Sequence, residues 1–299
     1  MTDVTYYLPK ELVKIIETYK SENIGLVLSK YVPFVREKKE NKSEPKKAEL
    51  NVAVEKYGKY KFGVPEKAID LYKLYLNSLK IQNAVEFKMK TKSRLIVGLG
   101  QESVYETSIR LHRNYGVPII PGSALKGITK HYAIMQLAEN FAKESGVFRE
   151  AVRKAQKYIE EPDIKKIDKL VNMKINNGSL TIGEVRQVFG TQANEGEVVF
   201  FDALPEPNHL QDVFEFDIMN PHYQPYYSGL EPPGDWLDPN PIFFLTVREG
   251  VVFNFWIWQR GEHNSNLLEK TKMLLIEALK EVGVGAKTSL GYGRFEELK

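Results

Sequence analysis

From Val85 to Leu99 the chain alternates in character at every second residue, and this run constrains the fold more than any other feature. Val85, Phe87, Met89, Leu95, Val97 and Leu99 fall on one side, and Glu86, Lys88, Lys90, Lys92 and Arg94 fall on the other. Period two belongs to an extended strand with one face in a core and one in water. The run therefore predicts a long strand in a sheet covered on one side, with a basic face on the other.

The cover for that strand comes from the next part of the chain. Pro121-Gly122-Ser123 opens a segment in which Leu125, Ile128, Tyr132, Met135 and Ala138 recur at helical spacing, with Ser123 as the expected N-cap. Further helices are expected to about Phe189, then short strands at 198–203 and 213–219. Eight of the fifteen prolines crowd into Pro205–Pro241, which predicts a largely loop-like span. A hairpin is expected next, Ile242–Val247 and Val251–Trp258, turning at Arg248-Glu249-Gly250. Leu267, Thr271, Leu274, Ala278 and Val282 trace a further helix, and Tyr292–Leu298 a last strand. The order strand, helix, two strand regions, helix, strand is an α/β arrangement of the ferredoxin-like (RRM-like) kind, with long inserted loops and helices. One sheet face carries helices, and in RNA-recognition folds the other is where single-stranded RNA lies.

The preceding residues read as an N-terminal helical extension over 1–80. Leu8-Pro9-Lys10 opens an amphipathic run through Tyr19, and a second run over 65–79 places Ile69, Tyr72 and Leu76 on one face. Between them, 36–49 (REKKENKSEPKKAE) is almost wholly polar and is expected to be a flexible loop. The remainder, 81–299, is expected to be one domain. A chain of 299 residues with 42% hydrophobic content can bury a sizeable core. It has no cysteine, which excludes disulfides, thiolate metal sites and cysteine nucleophiles. No apolar run of membrane-spanning length and no secretion signal are visible, so a cytoplasmic location without membrane contact is expected.

Charge is distributed unevenly. Between Ala84 and Ala133 eight basic residues face three acidic ones, a net +5. Between Gln187 and Val247 there is no Lys or Arg, while ten acidic residues give −10. A polyanion is attracted to the first block and repelled by the second, so the acidic span is expected to meet a neighbouring protein.

Gly283-Val284-Gly285-Ala286-Lys287-Thr288-Ser289-Leu290-Gly291-Tyr292-Gly293-Arg294-Phe295 holds four glycines in eleven positions, between the last helix and the last strand. Amides without side chains let a phosphate or another backbone approach, and Lys287 and Arg294 supply charge. A nucleotide-binding P-loop does not fit, because that motif follows a strand, opens a helix and joins Gly directly to Lys. A glycine-rich turn that only reverses the chain explains the same residues equally well.

This segment resembles the RAMP superfamily of CRISPR-associated proteins, whose mark is a C-terminal Gly-x-Gly-x5-Gly-x-Gly-[Arg]-Phe loop on a ferredoxin-like domain; Gly283, Gly285, Gly291, Gly293 and Phe295 occupy those positions. Ile120-Pro121-Gly122-Ser123-Ala124-Leu125-Lys126-Gly127, Val188-Phe189-Gly190 with Phe200-Phe201-Asp202-Ala203, and Asp217-Ile218-Met219-Asn220-Pro221-His222-Tyr223 resemble subunits of the type III-B Cmr effector in particular. The resemblance implies a non-catalytic subunit that holds the 3′ part of the guide RNA, with guide RNA, target RNA and other Cmr subunits as partners and no cofactor. It also implies that Gly122–Gly127 joins the C-terminal loop in lining the RNA. The expected RNA contacts are then Lys88, Lys90, Lys92, Arg94 and Arg110, Ser123 and Lys126 at the helix start, and Gly283, Gly285, Lys287, Gly291, Gly293 and Arg294 in the loop.

The rival reading is a metal-independent RAMP endoribonuclease that processes guide RNA, with His112 or His131 as general base. No two of the five histidines have an obvious catalytic spacing, and His222, His209 and His263 make no case. Asp202, Asp212, Glu215 and Asp217 could offer oxygens to a hard cation, but without a known ligand spacing no metal site is expected. Trp256 and Trp258, with Asn254, and the tyrosines Tyr223, Tyr226 and Tyr227 could stack bases, but core packing is the commoner fate of Trp at this spacing.

Overall fold

The computed structural model describes residues 4–5, 34–39, 42–47, 64, 66–79, 82–101, 103, 107–175, 180–220, 223–234, 236–237 and 242–298. The helix expected from Leu8 to Tyr19 lies outside them. In chain order come β1 (Val4–Thr5), β2 (Phe34–Lys39), β3 (Lys42–Lys47), α1 (Glu66–Ser78), β4 (Val85–Thr91), α2 (Gly122–Ser145) and α3 (Phe148–Glu160). After a 3-10 segment over Ile164–Leu170 the chain forms α4 (Ile182–Phe189), β5 (Val198–Phe200), β6 (Leu204–Pro205) and β7 (Phe214–Met219). Then come α5 (Gln224–Tyr227), β8 (Ile242–Val247), β9 (Val252–Gln259), α6 (Ser265–Glu281) and β10 (Phe295–Glu297). None of the described helices is long and apolar enough to cross a membrane.

The described residues fall into two compact units, one from Met1–Ser78, Gly98–Pro118 and Pro207–Arg248, the other from Leu79–Val97, Ile119–Glu206 and Glu249–Lys299. The segments Gly98–Pro118 and Pro207–Arg248 group with the N-terminal part.

In the first unit, β2 pairs with β3 from Phe34↔Lys47 to Lys39↔Lys42, so strands occupy most of the expected polar loop. Backbone pairing satisfies amides and carbonyls whatever the side chains are, which composition does not register. Helix α1 forms where predicted and buries Ile69 and Tyr72. Strand β7 pairs with β8 in register Phe214↔Val247 to Met219↔Ile242.

The second unit holds the larger sheet, in the order β10-β4-β9-β5, with every pairing antiparallel and β6 also on β9. Its aromatic core sits on one face. Phe87 stacks on Phe255 with ring centres 5.2 Å apart, and Phe295 meets Phe253 and Phe255 edge-on at 5.9 and 5.6 Å. Such pairs add about 0.5–1.5 kcal/mol each beyond area burial. Helix α2 buries Leu125, Tyr132, Leu137 and Phe141, and α6 buries Leu267, Leu268, Leu274, Leu275 and Leu279.

The expected hairpin of β8 and β9 does not form. A strand has two hydrogen-bonding edges, and those of β9 are taken by β4 on one side and by β5 and β6 on the other. The connection instead latches onto the end of β4, where the Gly250 amide donates to the Thr91 carbonyl at 2.8 Å and the Val251 amide to Thr91 Oγ1 at 2.9 Å. The strand predicted over 85–99 also ends early, at Thr91. Leu95 and Ile96 are both buried, which breaks the alternation.

Candidate nucleic-acid interface

The glycine-rich segment continues the sheet where β4 stops. The Lys92 amide donates to the Arg294 carbonyl at 2.8 Å, the Gly293 amide to Arg94 at 2.8 Å and the Ala286 amide to Ile96 at 2.7 Å, and Val284 closes on Gly293 at 3.0 Å. Most of these glycines are therefore demanded by the fold. A Cβ on Gly285 would lie 2.2 Å from the Ile96 carbonyl oxygen, and one on Gly293 2.0 Å from that of Val284. Gly291 differs: its φ is +92°, but a Cβ there meets nothing. The amides of Gly285, Thr288 and Ser289 donate to no protein acceptor among the described residues, and Ser289 to Gly291 are exposed. The loop is thus a backbone clasp whose outer part keeps amides available. Arg294 serves the fold in part, since its Nη1 donates to the Lys280 carbonyl at 3.4 Å at the end of α6.

The basic face predicted for β4 is partly neutralised. Lys88 pairs with Glu206 at 2.7 Å and Lys90 with Glu296 at 2.7 Å. Asn254 and Trp256, opposite Lys88 and Glu86 in the register, are 2% and 5% exposed, so the centre of that face is no open platform for bases. Lys92 is exposed and makes no ion pair among the described residues. Arg110 belongs to the other compact unit.

The start of α2 gathers more charge than its own sequence supplies. Ser123 does not cap the helix. Pro121 holds the N-cap position without a side-chain bond, and the Gly122 amide donates to Asp202 Oδ1 at 2.8 Å. Gly122 is dictated by packing, because a Cβ there would lie 2.0 Å from the Phe200 carbonyl oxygen. Beside this turn opens a cleft of about 420 Å³ whose lining includes Ser123, Lys126, Thr191, Asn194, Glu195 and Arg260. Burial first, then the charges of Arg260 and Lys130, hold the Lys126 ammonium below its usual pKa, with Glu195 opposing. Two cations, Lys126 and Arg260, thus line the cleft together with one acid, Glu195. Arg260 is ion-paired with Glu195, and both side chains are largely exposed. Sequence reading missed both, since no local motif ties residues 195 and 260 to 126.

Gly127 is a second unusual residue at this end of α2. It sits inside α2, exposed, where a Cβ would meet nothing and no positive φ is required. With Ser123 and His131 it forms an exposed row at four-residue spacing. Glycine in a helix interior costs about 1 kcal/mol relative to alanine, and no feature of the described fold accounts for it.

The other candidates separate. His112 packs against Tyr115 and Tyr75 at ring distances of 4.9 and 5.4 Å, and its Nδ1 accepts from the Asn114 amide at 3.3 Å. It belongs to the first unit and His131 to the second; His222 lies outside the described residues. Half of the acidic span is matched within the fold: Glu195 by Arg260, Glu206 by Lys88, Asp212 by Arg248, Asp202 by the Gly122 amide, and Glu197 by Gln187 and Gln259. Five of the ten carboxylates of the span thus have partners that a count of charge along the chain does not register. Among the described residues no group of three or more histidines and acids could hold a metal ion. Tyr226 and Tyr227 are exposed, in the first unit, with ring centres 5.6 Å apart.

A family model of the RAMP superfamily matches residues 88–296, and the chain belongs to that superfamily. Within it, the chain is similar to the CRISPR system Cmr subunit Cmr6 of Pyrococcus furiosus, with 41% identity covering 96% of this chain and 99% of the relative. The Cmr6 of Saccharolobus solfataricus is 26% identical over 77% of this chain and 63% of its own length. The crystal structure of Cmr6 from Pyrococcus furiosus superimposes with a TM-score of 0.52 at 46% identity, covering 74% of this chain and all of that one.

Proposed function

We propose that this chain is a non-catalytic RNA-binding subunit of a type III-B CRISPR (Cmr) effector, holding the 3′ part of the guide RNA beside other Cmr subunits. The observation that carries the reading is the start of α2, where Lys126 and Arg260 line one cleft, with Glu195 as the acid between them, beside an exposed helical glycine with no steric purpose. Phosphate contacts of this kind position RNA without reading its bases. Similarity to Cmr6 along nearly the whole chain supports the placement in a Cmr complex. We read the larger sheet as a ferredoxin-like core, a reading supported by its strand order and by the helices α2 and α6 at the two crossovers. Residues 98–118 and 207–248 are then insertions into that core.

The non-enzymatic reading is supported by the environment of His112, which is engaged in an aromatic cluster with Tyr115 and Tyr75. The test is incubation of the purified chain with labelled guide RNA, with and without EDTA, followed by anisotropy and a denaturing gel. Salt-dependent binding with intact RNA is expected; cleavage products that disappear in His131→Ala would transfer the protein to the endoribonuclease class.

A further inference from the structure

Helix α3 carries a row of cations that the interface described above does not use. Its inner face buries Ala151, Ala155 and Ile159. Its outer face exposes Arg149, Arg153, Lys154 and Lys157. Arg149, Arg153 and Lys157 recur at four-residue spacing and so climb one side of the helix in steps of about 6 Å.

The acids nearby do not cancel this row. Glu160 is held by Lys130 at 2.9 Å and Glu161 by Lys166 at 3.1 Å. Lys157 acts on Glu161 only at a distance, and Glu150, exposed on the same helix, pairs with none of the cations. Among the described residues, Arg149, Arg153 and Lys157 make no ion pair or side-chain hydrogen bond. An ordinary solvated helix face mixes both signs in contact. Here Glu160 and Glu161 are engaged by lysines outside the row, Glu150 is the one acid left exposed on the helix, and the cations of the row are left outward. Phe148, 44% exposed, adds a ring beside Arg149.

We propose that the α3 face is a second docking track for single-stranded RNA, with Arg149, Arg153 and Lys157 on successive phosphates and Phe148 against a base. Guanidinium groups suit phosphate oxygens bidentately, and an exposed ring suits base stacking. The regular step matches a polymer of evenly spaced charges better than the irregular acids of a protein surface. A second copy of this chain is disfavoured as occupant, because at least five carboxylates of its acidic span are already matched internally. The proposal rests on RNA being the chain's ligand and extends its path to another helix.

The test is anisotropy of the full chain with a long unstructured RNA across a salt series. Arg149→Ala/Arg153→Ala/Lys157→Ala should flatten the slope of log affinity against log salt by about 2, from about 0.7 per single-strand phosphate contact. The charge-preserving Arg149→Lys/Arg153→Lys/Lys157→Arg should keep the wild-type slope, and Phe148→Ala should weaken binding with the slope unchanged. A folded triple-alanine variant with the wild-type slope overturns the proposal. So does one that binds RNA normally but loses affinity for polyglutamate, which would assign the face to an acidic protein. Lys126→Ala separates the two readings: a null effect there together with a flattened slope in the α3 variant sinks the cleft and keeps the track. If the wild-type chain binds no RNA, both fall.

Discussion

Gly127→Ala sets the fold and the proposed function against each other. The residue lies in the interior of α2, is exposed, and a Cβ built there meets no atom within 4 Å. Alanine is preferred to glycine in such a place by about 1 kcal/mol, because it restricts the unfolded chain and clashes with nothing. The variant should therefore melt about 2–4 °C higher, the shift expected per kcal/mol for a large domain. If the glycine is there to let a phosphate chain approach the row of Ser123, Gly127 and His131, the added methyl group should cost about tenfold in RNA affinity. That loss is about 1.4 kcal/mol, near the low end for one charge-assisted hydrogen bond. Thermal denaturation and anisotropy on the same preparation read both effects. A variant that gains stability and keeps wild-type affinity would refute the argument, leaving Gly127 without a role at an interface. A variant that loses stability would show that the site is covered within the protein.

Three further outcomes are expected from the same geometry. Glu195→Gln should raise RNA affinity by about two- to fivefold, since it frees Arg260 from an exposed pair worth about 0.2–1 kcal/mol, while urea denaturation should show almost no change; an affinity that falls would remove Arg260 from the site. Burial and the nearby cations lower the Lys126 pKa, so as pH rises its charge is lost before that of an exposed lysine, and affinity should fall at a lower pH for the wild type than for Lys126→Arg; parallel pH profiles would contradict this. Gly285→Ala and Gly293→Ala, whose Cβ atoms would lie 2.2 and 2.0 Å from carbonyl oxygens, should each destabilise the chain by about 2 kcal/mol or more, whereas Gly291→Ala, strained only in φ, should cost about 1–2 kcal/mol; equal losses in urea denaturation at all three would show that Gly291 is packed too.

Local patterns were legible where one element carried the whole signal. Alternation located β4, helical spacing located α1, α2 and α6, and the glycine spacing marked the clasp that joins α6 to β10. The same local reading misjudged residues whose partners are remote. It took Lys88 and Lys90 as a basic face, although Glu206 and Glu296 meet them across the sheet. It took 242–258 as a hairpin, because a short turn between two apolar runs does not reveal that both edges of β9 are occupied. It named Ser123 as the cap that Asp202 supplies from eighty residues away.

The sequence by itself determined the kinds of element, the glycines at which backbone meets backbone, and the family whose spacing they keep. These depend on side-chain size and periodicity within a few turns of chain. Which charges meet one another was decided only by the tertiary structure. Salt bridges and capping bonds are made between whatever groups the fold brings within about 4 Å, so Arg260 and Glu195 join Lys126 at one cleft while Lys88 and Lys90 pair with Glu206 and Glu296 across the sheet.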